Sequence, residues 1–573
     1  MKLFAFLVAV AAALLVNQPL PPIVTMANQL TAILGFGLVL LLAPAPRPLA
    51  STWRAASPLL AVFGLAAAAC ALSIATGGFP SPPGIGVLGI IALAAAVTLH
   101  GASAGANDPV PFLRAFAIAL VAGGACGAGV ALLQTFALGH LDNAIIAIPM
   151  RPGRVGGNVG QPNQFADSML WGLIALVPLA RAWRDRAGSR LARAGWVALA
   201  LLMLLGLVLT GSRTPFVALV LMAAWGLADR QLARPLRIAL VLSPLAAVLL
   251  SWGVHALGDL LGIAAGITDR SDAADVTSFR SEIWRQSIAL IRQDPWSGVG
   301  WGGFNLAWTL TPFAARSAGF VDNAHNLVLQ LAVEMGVPLA LAMTGLLLAA
   351  VAFAFRRTWR LAGEAGVGAR ATLMIVIVMG LHSMLEYPLW YAYMLLPTAW
   401  AFGFAVGTGT ATAPAQDGAA RAAPLRAWRW AGALMVVLAP SAWLDYLNVV
   451  KLWLPDATSL PFQERIARAQ ASPLFANQAD YVAITNLQLT PQMAPLVARS
   501  SHVLLNGRLM YLWANLLDAQ GQSDKARFMA ARLREFNLPG PKPWFAPCDD
   551  VAVVAKPFQC LAPAHPVTWR DFR

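Results

Sequence analysis

Near-continuous apolar stretches recur along this chain from its first residues to about residue 447, and this repetition restricts the possible folds more than any motif does. Runs bounded by charge or by Pro and Gly occupy 3–16, 26–43, 57–74, 84–99, 113–138, 164–180, 195–211, 214–228, 236–256, 337–355, 371–386, 389–406 and 428–447. Most approach the roughly 20 residues that an α-helix needs to cross the hydrocarbon core of a bilayer. Lipid offers no partner to an unpaired backbone N–H or C=O, so such segments must close their hydrogen bonds internally, as helices. The expected fold is an all-α polytopic membrane protein with about 13 transmembrane helices. Composition agrees, because only 12% of the 573 residues are charged and the mean hydropathy is +0.65. An ordinary soluble domain carries about 25% charged residues. The net charge of +14 does not point to nucleic acid, since the arginines sit in short loops between apolar runs rather than in a patch interleaved with aromatics.

The chain divides at the ends of these runs into membrane helices over 1–256, a polar segment over 257–336, further membrane helices over 337–447 and a soluble tail over 448–573. Alternate loops sort by charge. One set holds Lys2; Arg47 and Arg54; Arg114; Arg181, Arg184, Arg186, Arg190 and Arg193; Arg230, Arg234 and Arg237; Arg356, Arg357, Arg360 and Arg370; and Arg421, Arg426 and Arg429. The positive-inside rule makes this set cytoplasmic. An odd number of spans then places the N-terminus in the cytoplasm and both the 257–336 segment and the tail on the outer face. The short first run reads as an uncleaved helix, since no small-residue cleavage site precedes Pro19, Pro21 and Pro22.

In the tail, LMYLWANLLDAQGQSDKARFMAARLREF carries apolar residues at helical spacing on both sides of Gly521. It resembles one helix-turn-helix unit of a tetratricopeptide repeat. A single unit cannot bury its own face, so packing on neighbouring tail helices around 462–505 is expected. The Pro-rich last thirty residues read as irregular structure. Cys548 and Cys560 lie twelve apart in a tail assigned to the oxidising compartment, which favours a disulfide. Cys70 and Cys126, inside apolar runs, read as packing residues.

The informative polar residues are those that defy the charge sorting. Arg151, Arg154, Arg213, Arg270, Arg280, Arg285, Arg292 and Arg316 all fall on the outer side. Long external loops translocate regardless of charge, so Arg270, Arg292 and Arg316 read as solvated loop residues. Arg213 differs, because GSRTPF leaves one apolar run and at once enters another, holding the guanidinium at the rim of the bundle. Charges in that position are expensive and usually functional.

Asn158, Gln161 and Asn163 lie on the Gly-rich approach RPGRVGGNVGQPNQFAD, which suits either close backbone contact with a ligand or a plain turn. AHNLVLQLAVEMGVP places His325 at the start of a helical run, with Glu334 farther along. His382 and Glu386 stand four apart in HSMLEYPLWYAYMLLP, a spacing compatible with metal ligation or with hydrogen bonding inside the bundle, and no third ligand is evident. The loop acids Asp269, Asp272 and Asp275 read as caps and solvated groups more readily than as a cation site. Guanidinium forks at a membrane boundary suit a lipid-borne diphosphate, and a nearby imidazole suits proton transfer near neutral pH. Together they describe a glycosyl transferase that uses arginine charge in place of a metal.

The strings GNVGQPNQFA, GSRTPF, RSEIW followed by DPWSGVGWGGFN, AHNLVLQLAVEMGVP and HSMLEYPLWYAYMLLP, in that order, resemble the bacterial protein O-oligosaccharyltransferases of pilin-glycosylating type, within the O-antigen ligase and polymerase superfamily. The resemblance covers roughly 1–450 and continues in the tail. It implies a GT-C-type bundle with a periplasmic loop domain, set in the bacterial inner membrane, with the active site and tail periplasmic. The implied donor is an undecaprenyl-diphosphate-linked glycan, the implied acceptor an exported protein such as pilin, and no cofactor or metal is implied. Carried over by motif, Arg213 and Arg280 match diphosphate-binding arginines and His325 the essential histidine. Gln161, Asn163, Glu386 and Tyr387 match motif positions without assigned roles, and Arg154 and Arg285 are further supporting candidates. An O-antigen ligase giving the glycan to lipid A core is the nearest alternative, followed by a polymerase. A transporter of lipid-linked sugars would instead place its polar groups near the bilayer midplane.

Overall fold

The computed structural model describes residues 1–46, 48, 50–137, 143–149, 153–186, 190–263, 271–314, 316, 319–410, 425–454 and 458–573, with backbone only at 181–186, 271–278 and 503–504. Arg47, Arg151, Asp269, Arg270 and Arg421 lie outside the described residues. Every regular element described is helical.

The helices are α1 (Lys2–Leu15), α2 (Met26–Leu42), α3 (Ala50–Ala75), α4 (Ser81–Asn107), α5 (Pro109–Phe136), α6 (Pro162–Arg186), α7 (Arg190–Leu209), α8 (Thr214–Ala228), α9 (Arg234–Leu261), α10 (Ser271–Gln293), α11 (Phe304–Leu310), α12 (Leu327–Trp359), α13 (Gly363–His382), α14 (Ala392–Gly407) and α15 (Arg426–Trp453). Each apolar run of the sequence coincides with one of them. Among the described residues eight (α3, α4, α5, α7, α9, α12, α13 and α15) are long and apolar enough to cross a membrane, and α1, α2, α8 and α14 are shorter apolar helices. The chain is a multi-pass membrane protein. The tail adds α16 (Phe462–Gln470), α17 (Ala476–Asn486), α18 (Ala494–Leu504), α19 (Gly507–Ala519), α20 (Ser523–Glu535) and α21 (Lys542–Asp549).

Two compact units emerge. The first comprises Met1–Phe63, Ala92–Arg270 and Leu346–Trp443. Lipid tails are as apolar as leucine, so helices here gain from close approach rather than from leaving water. Gly101 and Gly105 of α4 face the backbone of Trp400, Phe404 and Thr408, and Gly403 and Gly407 of α14 face that of Thr98 and Ala102, both pairs at four-residue spacing. A Cβ on Gly101 would lie 2.4 Å from the Trp400 carbonyl oxygen, and one on Gly407 would lie 1.9 Å from that of Ala102. Where α1, α5 and α13 begin, charges are paired: Lys2 with Asp108 at 2.6 Å and Arg114 with Glu364 at 2.8 Å.

Arg370, which the charge sorting counts among the loop cations, is buried. Its Nε donates to Asp229 at 2.6 Å and its Nη1 to the Thr358 and Leu361 carbonyls, while Trp225 Nε1 donates to the same carboxylate. It staples helix ends as well as carrying charge.

The second unit comprises Gly64–Ile91, Ser271–Gly345 and Leu444–Arg573. Its core joins Ile283 and Leu290 of α10 and Phe304, Trp308 and Leu310 of α11 to Val497, Leu509, Met510, Met529, Phe536, Trp569 and Phe572 of the tail. The polar segment and the tail thus share one hydrophobic interior. Helices α19 and α20 form the antiparallel pair expected around Gly521, and Asn506 caps α19 by accepting from Leu509 N–H at 3.0 Å. Such a cap contributes about 1 kcal/mol.

The last thirty residues are more ordered than their prolines suggest. Helix α21 spans Lys542–Asp549, a disulfide joins Cys548 to Cys560 across a Cα separation of 5.0 Å, and a Thr568/Asp571 capping box closes the turn Trp569–Phe572. Proline in a first turn or between turns needs no N–H partner, and within α21 only Pro547 stands past the first turn.

Arg316 corrects the reading of a solvated loop. Its side chain is 2% exposed, pairs with Glu535 at 3.1 Å, donates to the carbonyls of Trp308 and Thr311, and lies over the rings of Trp308, Phe313 and Phe536. Burial pulls its pKa below the ordinary arginine value and Glu535 opposes that shift. Arg292 is exposed, as a loop cation would be, although it stands in the last turn of α10. Asp272 and Asp275, read as loop acids, fall on the backbone of α10.

Candidate functional site

In the first unit three motifs that are far apart in sequence converge on Asn163. Gln161 precedes Pro162, the first residue of α6, and its Oε1 accepts from Gln164 N–H at 2.7 Å, capping the helix start. Proline at this position loses no hydrogen bond. The cap sets the direction of Asn163, whose Nδ2 donates to Glu386 Oε1 at 3.0 Å while its Oδ1 accepts from Ser212 Oγ at 2.7 Å. One amide therefore joins GQPNQ, LEYPLWY and GSRT.

The next turns of α6 extend the arrangement. Gln164 Oε1 accepts from the Tyr393 hydroxyl, and Asp167 meets His382 Nδ1, all four side chains buried. His382 and Glu386 thus engage different partners on α6, Asp167 and Asn163. Among the described residues no cluster of three or more His, Cys, Asp or Glu side chains is arranged to hold a metal.

Arg213 follows Ser212 on the turn between α7 and α8 and is exposed. The turn is held from three sides: by Ser212 to Asn163, by Ser212 N–H to Thr210 Oγ1 at 3.1 Å, and by Val155 N–H to the Leu209 carbonyl at 3.3 Å. Arg154, half-buried, donates its Nε to the Thr210 carbonyl at 3.5 Å. Tyr387 stacks on Tyr391, which leans on Tyr393, making an aromatic rim beside Glu386. The unit brings Arg154, Gln161, Asn163, Glu386 and Tyr387 around the segment that presents Arg213. A fixed backbone with an exposed guanidinium suits bidentate pairing to phosphate oxygens.

Arg280, Arg285 and His325 belong to the second unit. Helix α10 carries Phe279, whose ring meets the His325 imidazole edge-on with centroids 6.4 Å apart, and Arg280 is the next residue. Arg285 is exposed and pairs with Glu282 at 2.8 Å. His325 has φ +48°, a left-handed conformation that costs a non-glycine residue about 1–3 kcal/mol and collects at functional sites. Its N–H donates to Asn323 Oδ1 at 2.9 Å.

Below the histidine, EMGVP and DPWSGVGWGGFN hold one another. Val299 and Gly300 N–H donate to the Val333 and Glu334 carbonyls, each at 2.8 Å, and Val337 N–H to the Pro295 carbonyl at 2.7 Å. This contact is close enough to require glycine. A Cβ on Gly336 (φ +76°) would lie 2.2 Å from the Trp296 oxygen, and one on Gly298 (φ +65°) would lie 2.5 Å from the Glu334 carbonyl carbon. Asn305, at the end of the glycine string, is a residue that motif reading passes over. It donates to the Val321 carbonyl and accepts from Leu505 N–H, tying α11 to the tail.

Residues 198–344 match the family O-Antigen ligase, and residues 371–537 match Virulence factor membrane-bound polymerase, C-terminal. A General O-oligosaccharyltransferase of Acinetobacter baylyi is 29% identical over 173 residues, covering 30% of this chain and 28% of the relative. A ComP-specific O-oligosaccharyltransferase of the same organism is 25% identical over 256 residues, 44% of each chain. The matched segments span less than half the length of either relative.

Proposed function

We propose that this membrane chain, which carries O-antigen ligase family domains and is homologous to O-oligosaccharyltransferases, transfers a preassembled oligosaccharide from undecaprenyl diphosphate to Ser or Thr hydroxyls of an exported protein such as pilin. The reaction runs on the periplasmic face of the inner membrane. The observation that carries the reading is the exposed Arg213 on a turn braced by Asn163 and Ser212 in a chain whose relatives bear that name.

In this reading Arg213 and Arg280 pair with the diphosphate oxygens, with Arg154 supporting the turn. The glycosidic bond to diphosphate breaks and undecaprenyl diphosphate leaves with the bonding electrons, its charge held by the guanidinium groups. The acceptor hydroxyl forms the new bond to the sugar, and its proton passes to the imidazole of His325. The charge on the leaving group is met by arginine, so the reaction is expected to proceed in EDTA.

The match to the O-Antigen ligase family favours a second reading, with lipid A core as acceptor. Reconstituted membranes supplied with purified lipid-linked oligosaccharide and either acceptor decide between them. Orientation has its own test: alkaline phosphatase fused after residue 450 is expected to be active, and an inactive fusion on a correctly inserted bundle would reverse the assigned faces.

A further inference from the structure

We propose that Glu334 and Gln330 are positioning residues for His325, forming a buried polar relay that holds its left-handed backbone in place. The proposal rests on the reading of His325 as the base. Glu334 is 7% exposed and its carboxylate accepts from the N–H groups of Gly302 and Phe304 and from the side chain of Gln330. Gln330 is 4% exposed and uses its other end to accept from Ala324 N–H at 2.7 Å. The residue after Ala324 is His325, with φ +48°.

The order of donors and acceptors in this chain is forced. The backbone N–H of Ala324 can only donate, so Gln330 turns its amide oxygen there and its amide nitrogen toward Glu334, which accepts from it. The same backbone segment that accepts from Val299 and Gly300 N–H carries Glu334, so the relay's far end is fixed on the glycine string. At its near end, Leu329 N–H donates to Asn326 Oδ1 at 3.1 Å and Gln330 N–H to the Asn326 carbonyl at 2.8 Å, closing the first turn of α12 directly after the histidine. Neither Glu334 nor Gln330 needs to touch a substrate; they set where the imidazole stands.

The polarity of the relay supplies the test. In Glu334→Gln the new amide meets either the Gly302 and Phe304 donors or the Gln330 amide donor with an N–H group, so Gln330 is driven to flip and sets its nitrogen against Ala324 N–H. In Gln330→Glu two carboxylates face one another. In the exchanged pair, Glu334→Gln with Gln330→Glu, the oxygen at position 334 accepts from the two backbone N–H groups. Its nitrogen then donates to the carboxylate at position 330, which accepts from Ala324 N–H.

The experiment is steady-state glycan transfer by the full chain in reconstituted membranes, with purified lipid-linked oligosaccharide as the varied substrate and thermal unfolding measured in parallel. Each single variant is expected to lower kcat at least about tenfold with the donor KM within about twofold. Neither should lower the residual rate of His325→Ala further, and the exchanged pair should recover most of the loss. Undiminished kcat in the single variants, losses that multiply onto His325→Ala, or an exchanged pair that folds like wild type yet stays as slow as the singles would each overturn the relay. An undiminished kcat in His325→Ala itself would instead remove the histidine from the role of base, a failure of the functional reading that is separately visible.

Discussion

Asn163 and Glu386 lie 223 residues apart in sequence and are joined by a 3.0 Å hydrogen bond whose other arm reaches Ser212, the residue before Arg213. The relationship makes the position of one exposed arginine depend on a half-buried amide in α6. Asn163→Ala leaves the Glu386 carboxylate without this donor and releases Ser212. Leaving a buried polar group unsatisfied costs about 1–3 kcal/mol. The variant is expected to unfold at lower temperature and to show a raised donor KM, read by thermal unfolding in detergent and by initial rates. An unchanged KM would separate Asn163 from the arginine turn.

The two arginines are expected to respond alike to a change of shape at constant charge. Arg213→Lys and Arg280→Lys keep the positive charge but replace a bidentate fork with a point donor. Each should recover only a small part of the transfer lost in the corresponding Ala variant, with donor binding weakened in both. A Lys variant that transfers at the wild-type rate would show that simple charge suffices.

Arg316 is predicted to be a stability residue of the second unit. Its removal takes one of two arginine partners from Glu535 and leaves the Trp308 and Thr311 carbonyls without this donor, and an unsatisfied buried polar group costs about 1–3 kcal/mol. Arg316→Ala should therefore expose the tail to proteolysis before the membrane helices, with Glu535→Ala acting in the same direction. Protease half-lives equal to wild type would contradict the burial.

Much of this organisation was legible before the structure. Every apolar run falls on a helix because the bilayer penalises any unpaired backbone group, and the turn at Gly521 separates two amphipathic helices as the periodicity requires. The motif strings identified which polar residues mattered but not how they meet. That Asn163 bridges Glu386 and Ser212 depends on the packing of α6, α7 and α13, and nothing in local spacing encodes it. Arg370 and Arg316 show the limit of charge sorting, since an arginine counted as loop charge can equally be a buried staple when a carboxylate and several carbonyls are supplied from distant segments. The shared core of α10, α11 and the tail was hidden for the same reason: amphipathic faces announce burial without naming the partner.

The tail is also predicted to lose stability in acid through His502. Burial, followed by the nearby charge of Arg573, lowers its pKa from 6.5 to about 4 in the folded chain. The unfolded chain binds more protons between those values, so this contribution is full above pH 6.5 and is lost as pH falls toward about 4. His502→Gln should flatten the stability profile in that window, measured by unfolding of the tail as a function of pH. A profile that keeps its slope would assign the acid sensitivity to another group.

The central claim is tested most directly by mass analysis of an exported pilin-like acceptor after incubation with reconstituted protein, purified undecaprenyl-diphosphate-linked oligosaccharide and EDTA. The account predicts the mass of one whole glycan added at a Ser or Thr, absent when His325→Ala replaces the wild-type chain. Glycan found only on lipid A core when both acceptors are offered, or transfer abolished by EDTA, would contradict it.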